Sequence, residues 1–187
     1  MIAGMKHLLR NALGWLVHDY RINWIYATDR PGPVALRPGD SIMPLDDALR
    51  VRLALSTTDK MRGSLSYARA GLQGLALVRQ GEPLCVAHFA RAQQYDRAAT
   101  WPLREGDIAL MDIATQESAR GQGLAPQVIA QASRHFLTGP QQRLIAFIWW
   151  SNTPSLRAFG KAGWRRIGFS VEWRMAGRWW HVRLPVG

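Results

Sequence analysis

Apolar residues at Ile2, Met5, Leu8, Leu9, Ala12, Leu13, Leu16, Val17 and Tyr20 recur at helical spacing, while Lys6, Arg10, Asn11 and His18 fall largely off that stripe. This pattern predicts a basic amphipathic helix at the start of the chain. Pro31, Gly32, Pro33, Pro38 and Gly39 then crowd a connector, which divides a helical extension, 1–33, from a main domain, 34–187. Residues 34–36 read as a short strand and 45–55 and 60–72 as helices, with Gly63 and Gly71 weakening the second. Two β-rich runs, 75–79 and 84–90, flank Gln80, Gly81, Glu82 and Pro83 as a hairpin would, and 107–114 suits a central strand. Helical periodicity over 124–136 ends before Gly139 and Pro140; 143–150 is an apolar strand, and 154–162 a short helix. Alternation over 166–175 and 179–184, with Gly177 between, predicts a closing antiparallel hairpin. No internal repeat interrupts this order.

Composition narrows the picture. The 187 residues, 48% hydrophobic, can bury one full core but not two. A net charge of +11 favours polyanionic partners such as coenzyme A, acyl carrier protein, RNA or anionic lipid. The single cysteine, Cys85, rules out an internal disulfide framework and a cysteine-rich zinc site, so a reducing cytoplasm is expected. No secretory leader and no window of roughly 20 apolar residues is found, and a soluble or peripheral protein at the inner face of the membrane is expected.

The sharpest local signal is Arg120, Gly121, Gln122, Gly123, Leu124 and Ala125, placed where the loop after an apolar strand enters a helix. Small residues let backbone approach an anion, and the unpaired amides of a helix N-terminus point at phosphate oxygens. A ligand-free glycine turn would carry the same letters. The Lys-Ser/Thr ending of a Walker loop and the three-glycine dinucleotide fingerprint are both missing, which argues against nucleoside triphosphates and NAD.

Here the chain resembles the GNAT acetyltransferase superfamily, whose pyrophosphate loop reads Arg or Gln, two residues, Gly, one residue, then Gly or Ala; Arg120, Gly123 and Ala125 fit. A second motif follows in order, with Asn152, Ser155, Phe159, Gly163 and Trp164. The resemblance covers about residue 34 to the end and implies an α/β (α+β) GNAT fold: a central mixed, mostly antiparallel sheet flanked by helices, here with the extra N-terminal helix. It further implies acetyl-CoA or another acyl-CoA as co-substrate, without a metal. The backbone of Ile113 and Ala114 would align the thioester arm, Gln122 to Ala125 would hold the pyrophosphate, and Asn152 and Ser155 would meet the pantetheine. Asn152 beside Pro154 equally suits a helix cap.

Attack on a thioester requires a neutral amine and hence a proton acceptor. Asp107 and Asp112 flank the strand, and some GNAT members carry a carboxylate near the position of Asp107. Opposite parity sets the two on different faces unless a bulge intervenes. The family's usual general acid is a tyrosine where this chain has Phe159. The thiolate then leaves unaided, Ser155 or a water serves as donor, or the protein binds acyl-CoA without efficient turnover. His88 is a further base candidate, though one histidine amid apolar residues suits a structural role. His7, His18, His135 and His181 show no metal-ligand spacing.

Nine tryptophans include Trp149, Trp150, Trp164, Trp173, Trp179 and Trp180, interleaved with arginines in the last third. Part of them would be core; the rest could line an acceptor cleft or stack on bases. With Trp15, Tyr20, Trp24 and Tyr26, the first helix could lie at a membrane interface or pack on the core. The leading expectation is an acyl-CoA-dependent N-acyltransferase acting on a primary amine of an amino sugar, a small amine or a protein. The alternatives are a longer-chain enzyme using acyl carrier protein and a non-catalytic acyl-CoA-binding protein engaging membrane or, less favoured, nucleic acid. A homodimer is compatible with either.

Overall fold

The computed structural model describes residues 17–95, 101–139, 141–175 and 177–186. Their frame is one eight-stranded sheet in the order β2-β3-β4-β5-β6-β1-β7-β8. The strands are β1 (Val17–Thr28), β2 (Asp40–Pro44), β3 (Gln73–Arg79), β4 (Glu82–Arg91), β5 (Asp107–Thr115), β6 (Arg143–Trp149), β7 (Arg165–Met175) and β8 (Arg178–Pro185). Every neighbouring pair is antiparallel except β5 and β6. That parallel pair is bridged by helix α4 (Leu124–Phe136), as a parallel crossover requires. The remaining helices are α1 (Asp47–Ala54), α2 (Asp59–Gly63), α3 (Leu65–Arg69) and α5 (Thr153–Lys161). The mixed, mostly antiparallel sheet with flanking helices matches the expected fold class.

Buried clusters form on both faces, with a smaller third one around Ile25, Ala27 and Ile145. On one, Leu77, Phe89, Ile108 and Leu144 pack with Leu124, Val128 and Ile129 of α4 and Phe159 of α5. On the other, Val78, Val86 and Ala114 pack with Leu49, Leu53 and Met61 of α1 and α2. Leu49 and Leu53 stand one helical turn apart, so α1 buries both on one stripe. Each contributes about 1.5–3 kcal/mol. The Asp46 side chain starts α1 by accepting the Leu49 N–H at 2.8 Å, a cap worth about 1 kcal/mol.

The structure corrects the reading of the N-terminal third. The helix expected from Ile2 lies outside the described residues up to position 16, but its last part, Val17 to Tyr20, is extended. The run VHDYRINWIYAT is rich in β-branched and aromatic residues, which favour a pleated, half-buried surface. It lies between β6 and β7 with partners on both sides, so residues 17–28 belong to the main sheet rather than to an extension ending at residue 33. Residues 34–36 form no strand; Val34 and Arg37 are strapped to α4 through Gln131 and Gln127. An unforeseen strand, β2, follows the turn at Gly39, whose φ of +84° suits glycine. The expected 60–72 helix is split at Ser64, whose hydroxyl donates to Met61 O.

Candidate functional site

Pairing between β5 and β6 runs from Asp107↔Arg143 to Leu110↔Ala146 and stops. Beyond it the strands diverge, leaving the β5 edge from Met111 to Thr115 without a strand neighbour on that side among the described residues. A cavity fills the split, lined by Asn23, Lys60, Asp112, Phe147, Trp149 and Phe159. It opens into a second cavity along Ile113, Arg120, Asn152 and Ser155, which shares Lys60 and Phe159 with the first. A third continues past Thr115 and Arg120 to Gly121, Gly123, Arg157 and Lys161. The shared lining residues make these one groove from the glycine loop to the split in the sheet.

The loop has the geometry its sequence requires. Gly121 and Gly123 sit at φ +78° and +74°, a region that side chains disfavour. Gly123 is the N-cap of α4, and no side chain caps that end, so the first amides of the helix have no such partner. Buried Gln127 and half-buried Arg79 fix the loop from behind. Gln127 donates to Gly123 O at 3.3 Å and accepts the Arg37 N–H at 3.1 Å. Arg79 donates to Gln122 Oε1 at 3.0 Å while its other nitrogens hold the buried Asp40 carboxylate at 2.7 and 3.2 Å. Gln122 thus faces the β2–β3 edge and is absent from the groove lining, whereas Arg120, Gly121, Gly123, Leu124 and Ala125 line it. Arg120 also meets Glu117 at 3.1 Å.

At the far wall, Asn152 Oδ1 accepts the Ser155 N–H at 3.3 Å and caps α5, with Pro154 in the first turn. Capping and groove lining therefore coexist in Asn152. Ile113 faces the groove, while the Ala114 side chain is buried in the α1 and α2 core. The Phe159 ring closes the floor, 2% exposed, between Tyr26 at 6.0 Å and Trp164 at 4.9 Å between ring centroids.

The two carboxylates have different surroundings. Asp107 is wholly buried at the start of β5; it accepts Arg143 Nε at 2.9 Å, Arg143 Nη2 at 2.7 Å and the Arg104 N–H at 2.8 Å. It clamps the closed end of the parallel pair and does not line the groove, which takes it out of the base candidates. Asp112 lies five residues on, about 16 Å along a strand, at the open end. The register slips between His88↔Asp112 and Phe89↔Leu110, leaving Met111 as a bulge. That bulge is what resets the parity of the strand. Burial raises the Asp112 pKa above the usual carboxylate range, and Lys60, 3.8 Å away, partly offsets this.

Across the ladder from Asp112, His88 is fully buried and stacked on Tyr67 at 5.7 Å. Burial, aided by the Arg50 charge, lowers its pKa to about 4. It is neutral at ordinary pH and lines none of the three groove cavities. Cys85 is buried, and burial pushes its thiol up to about 12. Among the described residues no three His, Cys, Asp or Glu side chains gather as a metal site would require, and no helix is long and apolar enough to cross a membrane. Lys60, Thr115 and Asn23 are lining residues that sequence reasoning missed. Lys60 stands on α2 and Asn23 on β1, far from either motif in the chain, so no local signal could have pointed to them.

This combination of a split parallel pair, an α4 N-terminus behind a glycine loop and a floor from α5 defines a GNAT fold. Residues 89–174, under half of the chain, match the family model described as FR47-like protein. Among solved structures it is similar to a GNAT-family putative acetyltransferase from Novosphingobium aromaticivorans, with 18% identity over 83% of this chain and 64% of that one, TM-score 0.55. A GNAT-family acetyltransferase from Colwellia psychrerythraea shows 16% identity over 90% and 62%, TM-score 0.58. AAC(6')-Ib in complex with paromomycin and acetyl-CoA shows 16% identity over 79% and 92%, TM-score 0.52. The chain spans under two thirds of the length of the first two. No curated protein matches the chain.

Proposed function

We propose that the protein is an acyl-CoA-dependent N-acyltransferase that moves an acetyl group from acetyl-CoA to a primary amine. The observation that carries this reading is the continuity of the groove, from helix amides suited to a pyrophosphate, past the free β5 edge, to a carboxylate at the split. The bound structure of AAC(6')-Ib supports acetyl-CoA as the donor for this type of fold.

In this reading the amides after Gly123 and the Arg120 guanidinium bind the diphosphate, and the β5 edge from Met111 to Thr115 hydrogen-bonds the pantetheine arm. The acyl-CoA supplies an activated carbonyl carbon. The amine nitrogen attacks that carbon, the C–S bond breaks, and the amine proton passes to Asp112 directly or through one water. A carboxylate of raised pKa holds that proton better than an ordinary one. Phe159 cannot donate, so the thiolate takes its proton from water or from Ser155. We place the reaction in the cytoplasm, in keeping with one buried thiol and no disulfide pair. The amine, whether of an amino sugar, a small molecule or a protein, enters from the Asn23 and Trp149 side.

Isothermal titration with acetyl-CoA, longer acyl-CoAs and free CoA tests the donor site. Binding that weakens at least tenfold in Gly123→Glu and Arg120→Glu is expected. Equal binding in wild type and both variants, or none in any, refutes the reading.

A further inference from the structure

Beyond α5 the sheet carries an array that the groove does not use. The β1–β7–β8 registers align Tyr20, Trp173 and Trp180 in one rank, Ile22, Val171 and Val182 in the next, and Trp24, Phe169 and Leu184 in a third. Alternation puts all nine on one face of the sheet. It is the face of the α4 and α5 core, onto which Trp24 already packs. The opposite face is more polar: it carries Arg21, Arg174, His181 and Arg183, with Arg21 lying over Trp179, and buries Ser170 and Glu172. The helices, however, make their main sheet contacts on β3, β4 and β5. The array stays open: Tyr20 is 58% exposed, Trp180 46%, Val182 44% and Leu184 53%. A sheet with one apolar face normally buries it, and a patch of this kind marks a docking surface.

We propose that the chain's own first sixteen residues dock on this face. Three features choose that occupant. Residues 1–16 join β1 at Val17, whose ladder partner is Met175, just beyond the Tyr20 rank. Their apolar positions Ile2, Met5, Leu8, Leu9, Ala12 and Leu13 fall on one helical stripe, and Gly14 stands where a helix would end before the strand. Twelve helical residues reach about 18 Å, while the array measures roughly 13 Å along the strands and 10 Å across them. A second copy is the poorer fit, because Arg166 and Arg178, which lie over Trp24 and Trp180 at the two ends of the array, would face their counterparts between chains of charge +11.

The test is disulfide trapping in the full chain. Leu9→Cys with Val182→Cys places one thiol on the apolar stripe and one at the centre of β8; Arg10→Cys with Val182→Cys places the first off the stripe. Under dilute oxidising conditions the Leu9 pair is expected to close within the monomer at least tenfold faster than the Arg10 pair, with Cys85 buried and unreactive. Closure only between chains assigns the face to a second copy and overturns the proposal, as do equal rates or no closure in either pair. A second measurement does not depend on trapping. Deleting residues 1–13 is expected to raise binding of an apolar fluorescent dye several-fold, reversed by Val182→Asp, with the secondary structure kept. An unchanged signal in the folded deletion variant also overturns the proposal. Binding of the full chain to phosphatidylglycerol vesicles that Val182→Asp abolishes would assign the face to lipid and overturn it as well.

Discussion

The Lys60 ammonium lies 3.8 Å from the Asp112 carboxylate at the open end of the β5–β6 split. One group comes from a five-residue helix and the other from a bulged strand, so only the folded chain creates the pair. Burial holds the Asp112 proton more tightly and Lys60 loosens it. As a base, Asp112 must be ionised, so the rate should rise with pH through a pKa above the usual carboxylate range. Lys60→Met removes the opposing charge and should move that limb to higher pH, read from the kcat/KM profile.

Asp112→Asn should lower kcat by roughly 100-fold or more, the contribution of a positioned base, while leaving acetyl-CoA affinity near the parent value. Stability should move the other way. A carboxyl whose folded pKa is raised favours the folded state only at low pH, and that contribution is lost as pH rises through the folded pKa. At neutral pH the Asn variant should therefore be at least as stable as the parent in urea.

Asp107→Asn should behave oppositely. Its carboxylate neutralises Arg143 inside the sheet, and breaking a buried pair costs about 3–5 kcal/mol. A lower denaturation midpoint is expected, with donor affinity per folded molecule little changed.

Phe159→Tyr would add a hydroxyl at the groove floor with almost no change in volume. If the missing acid limits departure of the thiolate, kcat should rise by roughly tenfold or more, with KM for the donor unchanged. Steady-state thiol release measures both.

Gly123→Ala tests the loop without adding charge. A side chain at φ +74° costs about 1–2 kcal/mol, so the loop should relax and acetyl-CoA should bind several-fold more weakly in titration.

Much of the fold was legible. The α4 span follows directly from apolar spacing between the glycines and Gly139, and the β3–β4 and β7–β8 hairpins follow from period-two runs around turn residues. The loop and Asn152 motifs each had local letters with a local geometric cause. What misled was the overlap of two periods near the N-terminus: Leu13, Leu16, Val17 and Tyr20 satisfy a helical stripe, yet from Val17 on the long-range ladders with β6 and β7 win. No local pattern could choose between them, since the partners lie more than a hundred residues away.

By itself, then, the sequence determined the elements whose period and punctuation are local, the glycine loop at a strand-to-helix junction, and the absence of a tyrosine at Phe159. Tertiary structure alone decided which carboxylate clamps the sheet and which faces the groove. A one-residue bulge at Met111 resets strand parity, the end of pairing at Leu110↔Ala146 opens one side of β5, and Arg143 stands directly opposite Asp107 to hold its carboxylate. These are consequences of register between distant segments, and register is set by the packing of whole faces rather than by neighbours in the chain.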